Sequence, residues 1–214
     1  RRASSLVAPP REKSDDVAAL SGDERRQILD VIEHYHRTLS GEDGRGLDYL
    51  RRRHIADPET LKTFKVGYCN GTLKKVLPES SVPTLKKIGL LRQDGSEAFE
   101  GCIVVPVFTE TGDAAGGGTS LGECFARFIV DRKPTNHLYL PGAHRGALNA
   151  KAAGVYEDII LTEAAFDALT FYAHGIRNVI PCYGTGGFTE DHRSTLKNTR
   201  RVFFAFDNDQ AGED

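Results

Sequence analysis

No apolar run in this sequence approaches the roughly 18 to 20 positions that a bilayer-spanning helix needs, so no helical membrane anchor and no membrane partner are expected. Neither sign of charge is in excess: 28 Lys and Arg stand against 30 Asp and Glu, and the net charge of −2 does not by itself announce a nucleic-acid partner. No Cys-x-x-Cys pair occurs. Cys69, Cys102, Cys124 and Cys182 are scattered, which excludes a cysteine-framed zinc site or redox dithiol and reads as reduced packing thiols in a cytoplasmic protein. No charged segment followed by an apolar one opens the chain, so no secretory signal is expected. Methionine is absent, position 1 included, and the sequence is expected to be a piece of a longer polypeptide. What remains is of ordinary globular composition, 39% hydrophobic and 27% charged, with room for one large or two small cores in 214 residues.

The distribution of charge says more than its sum. Residues 51–75 carry seven Lys or Arg against two acids, and residues 125–151 carry five against one. From residue 157 onward the balance reverses to ten acids and five basic residues. Surfaces able to hold phosphates thus stand beside one able to hold a cation.

Three segments follow from local pattern. Residues 1–20, with Pro9-Pro10 and mixed charge, read as a linker or tail. Residues 21–152 read as a basic α+β subdomain. Ser21 and Glu24 have capping-box spacing, and Ile28, Val31, Ile32, Tyr35 and Leu39 form one apolar helical face. A second helix carries Leu47, Leu50 and Arg51 to Arg53, and a third opens at Asp57-Pro58. Cys102 to Phe108 is expected to pair with Cys124 to Val130 across a loop at 112–122. Residues 153–214 read as an α/β unit. Strands at 158–161, 178–183 and 201–206 alternate with a helix capped by Thr162 and one at 189–196, and Gly184 to Gly187 forms a tight turn. Such crossovers make a parallel sheet whose strand carboxyl ends share one edge, where open α/β sheets bind ligands.

Glu163 follows the first of these strands; Asp207 and Asp209 follow the third. Carboxylates brought together repel, and a divalent cation relieves the repulsion. Their hard oxygens suit Mg2+, with Mn2+ as substitute. Asp167 lies four residues beyond Glu163, expected on the same helix face, and adds a like charge. Taken singly, Glu163 would merely complement a helix dipole and the Asp207/Asp209 pair would merely cap a helix; it is their joint delivery to one edge that points to a metal site. The Gly184 turn shares that edge but lacks the Lys-Ser/Thr of a P-loop. Residues 207–212 also mimic the opening of an EF-hand loop, but a strand precedes them where that motif needs a helix.

The runs Thr162-Glu-Ala-Ala-Phe-Asp167, Tyr183-Gly-Thr185 and Phe206-Asp-Asn-Asp-Gln-Ala-Gly212 together resemble the Toprim domain. Upstream, Tyr49-Leu-Arg-Arg-Arg-His54, Phe64-Lys-Val-Gly-Tyr68, Phe99 to Pro106, Arg127 and Leu140-Pro-Gly-Ala-His-Arg-Gly146 resemble the amino-terminal half of the DnaG-type primase core, in a mobile-element or phage-like form. The resemblance implies an α+β subdomain followed by an α/β Toprim domain, incomplete at its carboxyl end. It also implies synthesis of RNA primers on single-stranded DNA from ribonucleoside triphosphates, with a replicative helicase as a further partner. Glu163, Asp207 and Asp209 would be catalytic and metal-binding, with Asp167 in support. Arg53, Arg127, Lys133, Arg145, Gly184 and Thr185 would contact nucleotide or nucleic acid. Any zinc would sit in a module outside this sequence. Two other readings stay open: a Toprim nuclease or topoisomerase-like strand-cleaving enzyme, and a non-catalytic nucleic-acid-binding module.

Overall fold

The computed structural model describes residues 20–111, 118–132, 135–184 and 186–207. It opens with α1 (Gly22–Leu39), where Ser21 Oγ accepts from the Glu24 N–H and Glu24 accepts from the Ser21 N–H at 2.8 Å, closing the expected capping box. The predicted face of Ile28, Val31, Ile32, Tyr35 and Leu39 is buried. Helix α2 (Arg45–Arg52) buries Tyr49 and Leu50, and α3 (Pro58–Thr63) starts with Asp57 accepting from both the N–H and the hydroxyl of Thr60. After β1 (Gly67–Cys69) comes α4 (Val82–Ile88), which ends on Gly89 at φ 86°. That positive φ is one glycine adopts without penalty.

Four strands form an antiparallel sheet in the order β1-β2-β3-β4, with β2 at Cys102–Thr111, β3 at Gly118–Phe128 and β4 at His137–Tyr139. Strand β3 begins at Gly118 rather than near Cys124, so the strand pair extends into the stretch read as loop from the sequence. Side chains alternate between faces, and here both faces are buried. Val104, Cys124 and Ala126 pack under α1 and α4, while Ile103, Val105 and Phe125 pack under α2, α3 and a helix of the second unit. Two-sided burial explains the unbroken apolar run from Cys102 to Val107.

The second unit runs β5 (Asp158–Thr162), α5 (Ala165–Ala173), β6 (Val179–Pro181), α6 (Glu190–Leu196) and β7 (Arg201–Ala205). All pairings are parallel, in the order β6-β5-β7, as the alternation of strands and helices predicts. Its core of Ile159, Leu161, Ile180 and Cys182 recruits Ala147 and Ala152 from the preceding segment. Helix α5 joins the units: Ala165, Phe166 and Leu169 enter the cluster under β2 and β3. Thr162 is the last residue of β5 and does not cap α5. The N-cap is Ala164, whose side chain accepts no bond, and Asp167 Oδ2 takes the Ala164 N–H at 3.0 Å, the returning half of a capping box. All four cysteines are buried and unbridged. Among the described residues, no helix is long and apolar enough to cross a membrane.

Candidate active site

The register of the parallel sheet sets the geometry. Thr162 stands beside Ala205 across the β5·β7 pairing. Continuing both strands by one and two residues brings Glu163 and Asp207, 44 positions apart in sequence, to the same end of the sheet. The third strand end contributes a turn. The Gly184 N–H donates to the Glu163 carbonyl at 2.9 Å, and the Gly187 N–H closes the turn on the Gly184 carbonyl at 2.9 Å. Gly184 has φ 90°, and a Cβ at Gly187 would lie 2.3 Å from the Tyr183 carbonyl carbon, so both glycines are dictated by the turn itself.

One carboxylate oxygen of Glu163 is buried, and burial of the Cys182 thiol, with the charge of Glu163 adding to it, pushes that thiol up to about 11. Asp167 is half-buried. Burial raises its carboxyl above the ordinary range, the bond from the Ala164 N–H lowers it, the charge of Asp207 raises it, and Arg127 and Arg53 lower it. Glu163 precedes the helix rather than sharing a face of it with Asp167; the like charge that Asp167 senses is that of Asp207, with two arginines in compensation.

Those arginines are held by aromatic rings. The Arg53 guanidinium lies 5.0 Å from the Tyr49 ring centre and 5.7 Å from that of Phe166, and Arg127 lies 5.7 Å from Phe166. Arg127 Nε also donates to the Tyr49 hydroxyl at 2.9 Å. Tyr49 and Phe166 were not singled out from the sequence. The signal available was the i,i+4 spacing of Tyr49 and Arg53 on the second helix. Arg145 is not among the groups acting on Asp167; it lines a cavity with Ile28, Ile88 and Leu140, and its carbonyl accepts from the Tyr183 hydroxyl. Asp209, Lys133 and Thr185 lie outside the described residues.

The donors at this edge are carboxylate oxygens, the set a hard divalent cation takes, and the burial of one Glu163 oxygen with the repulsion Asp167 feels from Asp207 favours one. Among the described residues, no three His, Cys, Asp or Glu side chains lie together as a metal cluster. The described part of this edge is thus Glu163 and Asp207 at neighbouring strand ends, with Asp167 in electrostatic reach of Asp207, Arg127 and Arg53.

An antiparallel sheet joined through one helix to a parallel β-α-β-α-β unit, with acids at the strand carboxyl ends, defines a two-unit core whose second unit is Toprim-like; the Toprim-like family pattern matches residues 160–214. The chain is 27% identical to the DNA primase of Aquifex aeolicus over 94% of its own length and 42% of that protein. It is 26% identical to the DNA primase of Legionella pneumophila, over 87% of the chain and 34% of that protein. The catalytic core of DnaG superposes with a TM-score of 0.72 at 19% identity, covering 88% of this chain and 63% of that one. The zinc-binding and RNA polymerase domains of the Aquifex aeolicus primase give 0.71 at 24% identity, over 91% and 51%. A DnaG primase catalytic domain bound to single-stranded DNA gives 0.69 at 19% identity, over 88% and 64%. The chain is thus similar over most of its length to bacterial DNA primases and has the fold of the DnaG catalytic core. It spans less than half the length of the two curated primases.

Proposed function

We propose that this chain is the catalytic part of a DNA primase, joining ribonucleotides into a short RNA on a single-stranded DNA template in the cytoplasm. The observation that carries the reading is the carboxylate edge of Glu163, Asp167 and Asp207 flanked by Arg53 and Arg127, on a fold shared with DnaG cores. Glu163 and Asp207, with Asp209 and with Asp167 in support, would hold Mg2+ or Mn2+. When bound, such ions polarise the attacking hydroxyl and neutralise the leaving pyrophosphate.

The chain's own residues do the rest. The bond between the primer 3′ oxygen and the α-phosphorus forms as the bond to the pyrophosphate oxygen breaks. Arg53 and Arg127, stiffened by the rings of Tyr49 and Phe166, hold triphosphate or template phosphates by charge-assisted bonds. Lys133, Arg145 and the Gly184–Thr185 turn extend that contact in this reading. A replicative helicase would present the template, and any zinc module would lie outside these residues.

The test is primer synthesis on single-stranded DNA with labelled ribonucleotides, comparing the intact protein with Glu163→Gln and Asp207→Asn. Both variants are expected to lose product while retaining their circular dichroism spectrum. Undiminished product in either overturns the reading, and strand scission in place of synthesis would assign the site to a cleaving Toprim enzyme.

A further inference from the structure

Glu123 is an acid in the wrong place for the carboxylate edge. It sits on β3 with a side chain 1% exposed, opposite Val107 and two residues before Phe125, on the face of the sheet that packs beneath α2, α3 and α5. One of its oxygens accepts the N–H groups of Cys124 and Leu140 at 2.9 and 2.8 Å, and the other takes the His144 Nδ1–H at 2.7 Å. A buried carboxylate is costly and is tolerated only when its oxygens are so partnered; an apolar side chain would fill the space more cheaply. Its retention here fixes the orientation of one ring, that of His144.

That ring stacks on Tyr183 with centres 4.4 Å apart and planes 18° apart. Tyr139 meets His144 edge-on at 4.5 Å, and His192 meets Tyr183 at 5.3 Å, so the phenol is clamped from several sides. The Tyr183 hydroxyl reaches the carbonyls of Arg145 and Gly146 at 2.9 and 3.0 Å, sharing its single proton between them. The backbone of Tyr183 leads directly into the turn whose Gly184 N–H holds the Glu163 carbonyl. A continuous series of contacts therefore runs from Glu123 through His144 and Tyr183 to the peptide of Glu163.

We propose that Tyr183, backed by His144 and Glu123, is a positioning residue for Glu163, locking the Gly184 turn against the 140–146 segment so that the carboxylate is held at the sheet edge. The inference rests on the catalytic reading above but concerns residues that touch neither substrate nor ion. Misplacement of a reacting group by about 1 Å can cost on the order of a hundredfold in rate, so loss of one strut contact, with a smaller displacement, is expected to cost roughly tenfold.

The test uses Tyr183→Phe, which removes only the hydroxyl, and His144→Gln, which keeps a donor to Glu123 and removes the stacked ring. Ser81→Ala is the control; it deletes a hydroxyl that donates to the Pro78 carbonyl, at the start of α4 on the opposite face of the antiparallel sheet. Primer synthesis by the intact variants should show kcat lowered about tenfold with the nucleotide KM within about twofold. Amide hydrogen exchange at Gly184 should be faster in both, while Ser81→Ala leaves kcat and that exchange unchanged. Unchanged kcat in Tyr183→Phe and His144→Gln overturns the proposal, as does an equal fall in Ser81→Ala, which would mark a general loss of stability. If the unmodified protein makes no primer, the catalytic reading falls separately, and the strut stands or falls on Gly184 exchange alone.

Discussion

Replacing Phe166 by leucine tests the joint between the two units. The ring is 4% exposed and meets Tyr49 of α2 edge-on at 6.2 Å and Phe125 of β3 at 5.6 Å. It also carries the guanidinium groups of Arg53 and Arg127, each at 5.7 Å. Leucine keeps most of the buried apolar area, so the cost comes from lost ring geometry. Two aromatic pairs at about 0.5 to 1.5 kcal/mol each, and two cation–π contacts at about 0.5 to 1 each, give a loss of about 2 to 5 kcal/mol. For a chain of this size that lowers Tm by about 4 to 20 °C. Urea unfolding should show the midpoint falling with an unchanged slope, since the surface exposed on unfolding is nearly the same. In the same variant the arginines lose their platform, and the nucleotide KM should rise. A stability loss below about 0.5 kcal/mol, with KM unaltered, would refute the view that this ring both joins the units and seats the arginines.

Two further outcomes follow from burial and from close approach. Burial holds the His192 imidazole below its ordinary 6.5; the Pro181 carbonyl and Asp191 pull it up, and His144 adds to the depression. Its Nε2–H donates to the Pro181 carbonyl and Nδ1 accepts from the Thr189 N–H, while the rings of Tyr183 and Phe188 cover it, so a second proton would face an N–H. The unfolded chain takes up that proton near pH 6.5 and the folded one does not, so this contribution is complete above 6.5 and lost as pH falls below it. His34 and His137 are displaced in the same direction by burial. Melting temperature should therefore drop on acidification to about pH 5, less steeply in His192→Gln; an identical slope in that variant would contradict the assignment. At Gly67, a Cβ would lie 2.6 Å from the Tyr35 carbonyl carbon, so Gly67→Ala should cost about 1 to 3 kcal/mol in urea unfolding by parting β1 from α1. Gly22→Ala, whose Cβ meets nothing, should be neutral or stabilising, and equal effects at both positions would discount the clash.

Local chemistry made α1 legible: its cap and its buried face are both written within nineteen consecutive residues, Ser21 to Leu39. The parallel unit was legible for a similar reason, since strands alternating with helices admit few topologies. The cap of α5 was not, because Thr162 has the right chemistry but belongs to the strand, and the end of the helix is held instead by Asp167 reaching back to the Ala164 N–H. Strands β1 and β4 are three residues each, too short to show a period of two. At the site, Glu163 and Asp207 could be placed from the strand ends alone, whereas the seating of Arg53 and Arg127 on Phe166 depends on packing between segments far apart in sequence. Arg145 shared their charge but not their location, which composition cannot distinguish.

Strand β5 lies between β6 and β7, although it precedes both in the chain. During synthesis on the ribosome, Glu163 emerges well before the strand that carries Asp207 to its side. The two acids can meet only after residues 201–205 have slotted in along β5. A nascent or truncated polypeptide that stops short of residues 201–205 has no means of gathering the pair, so any chemistry at this edge waits on the pairing of β7 with β5.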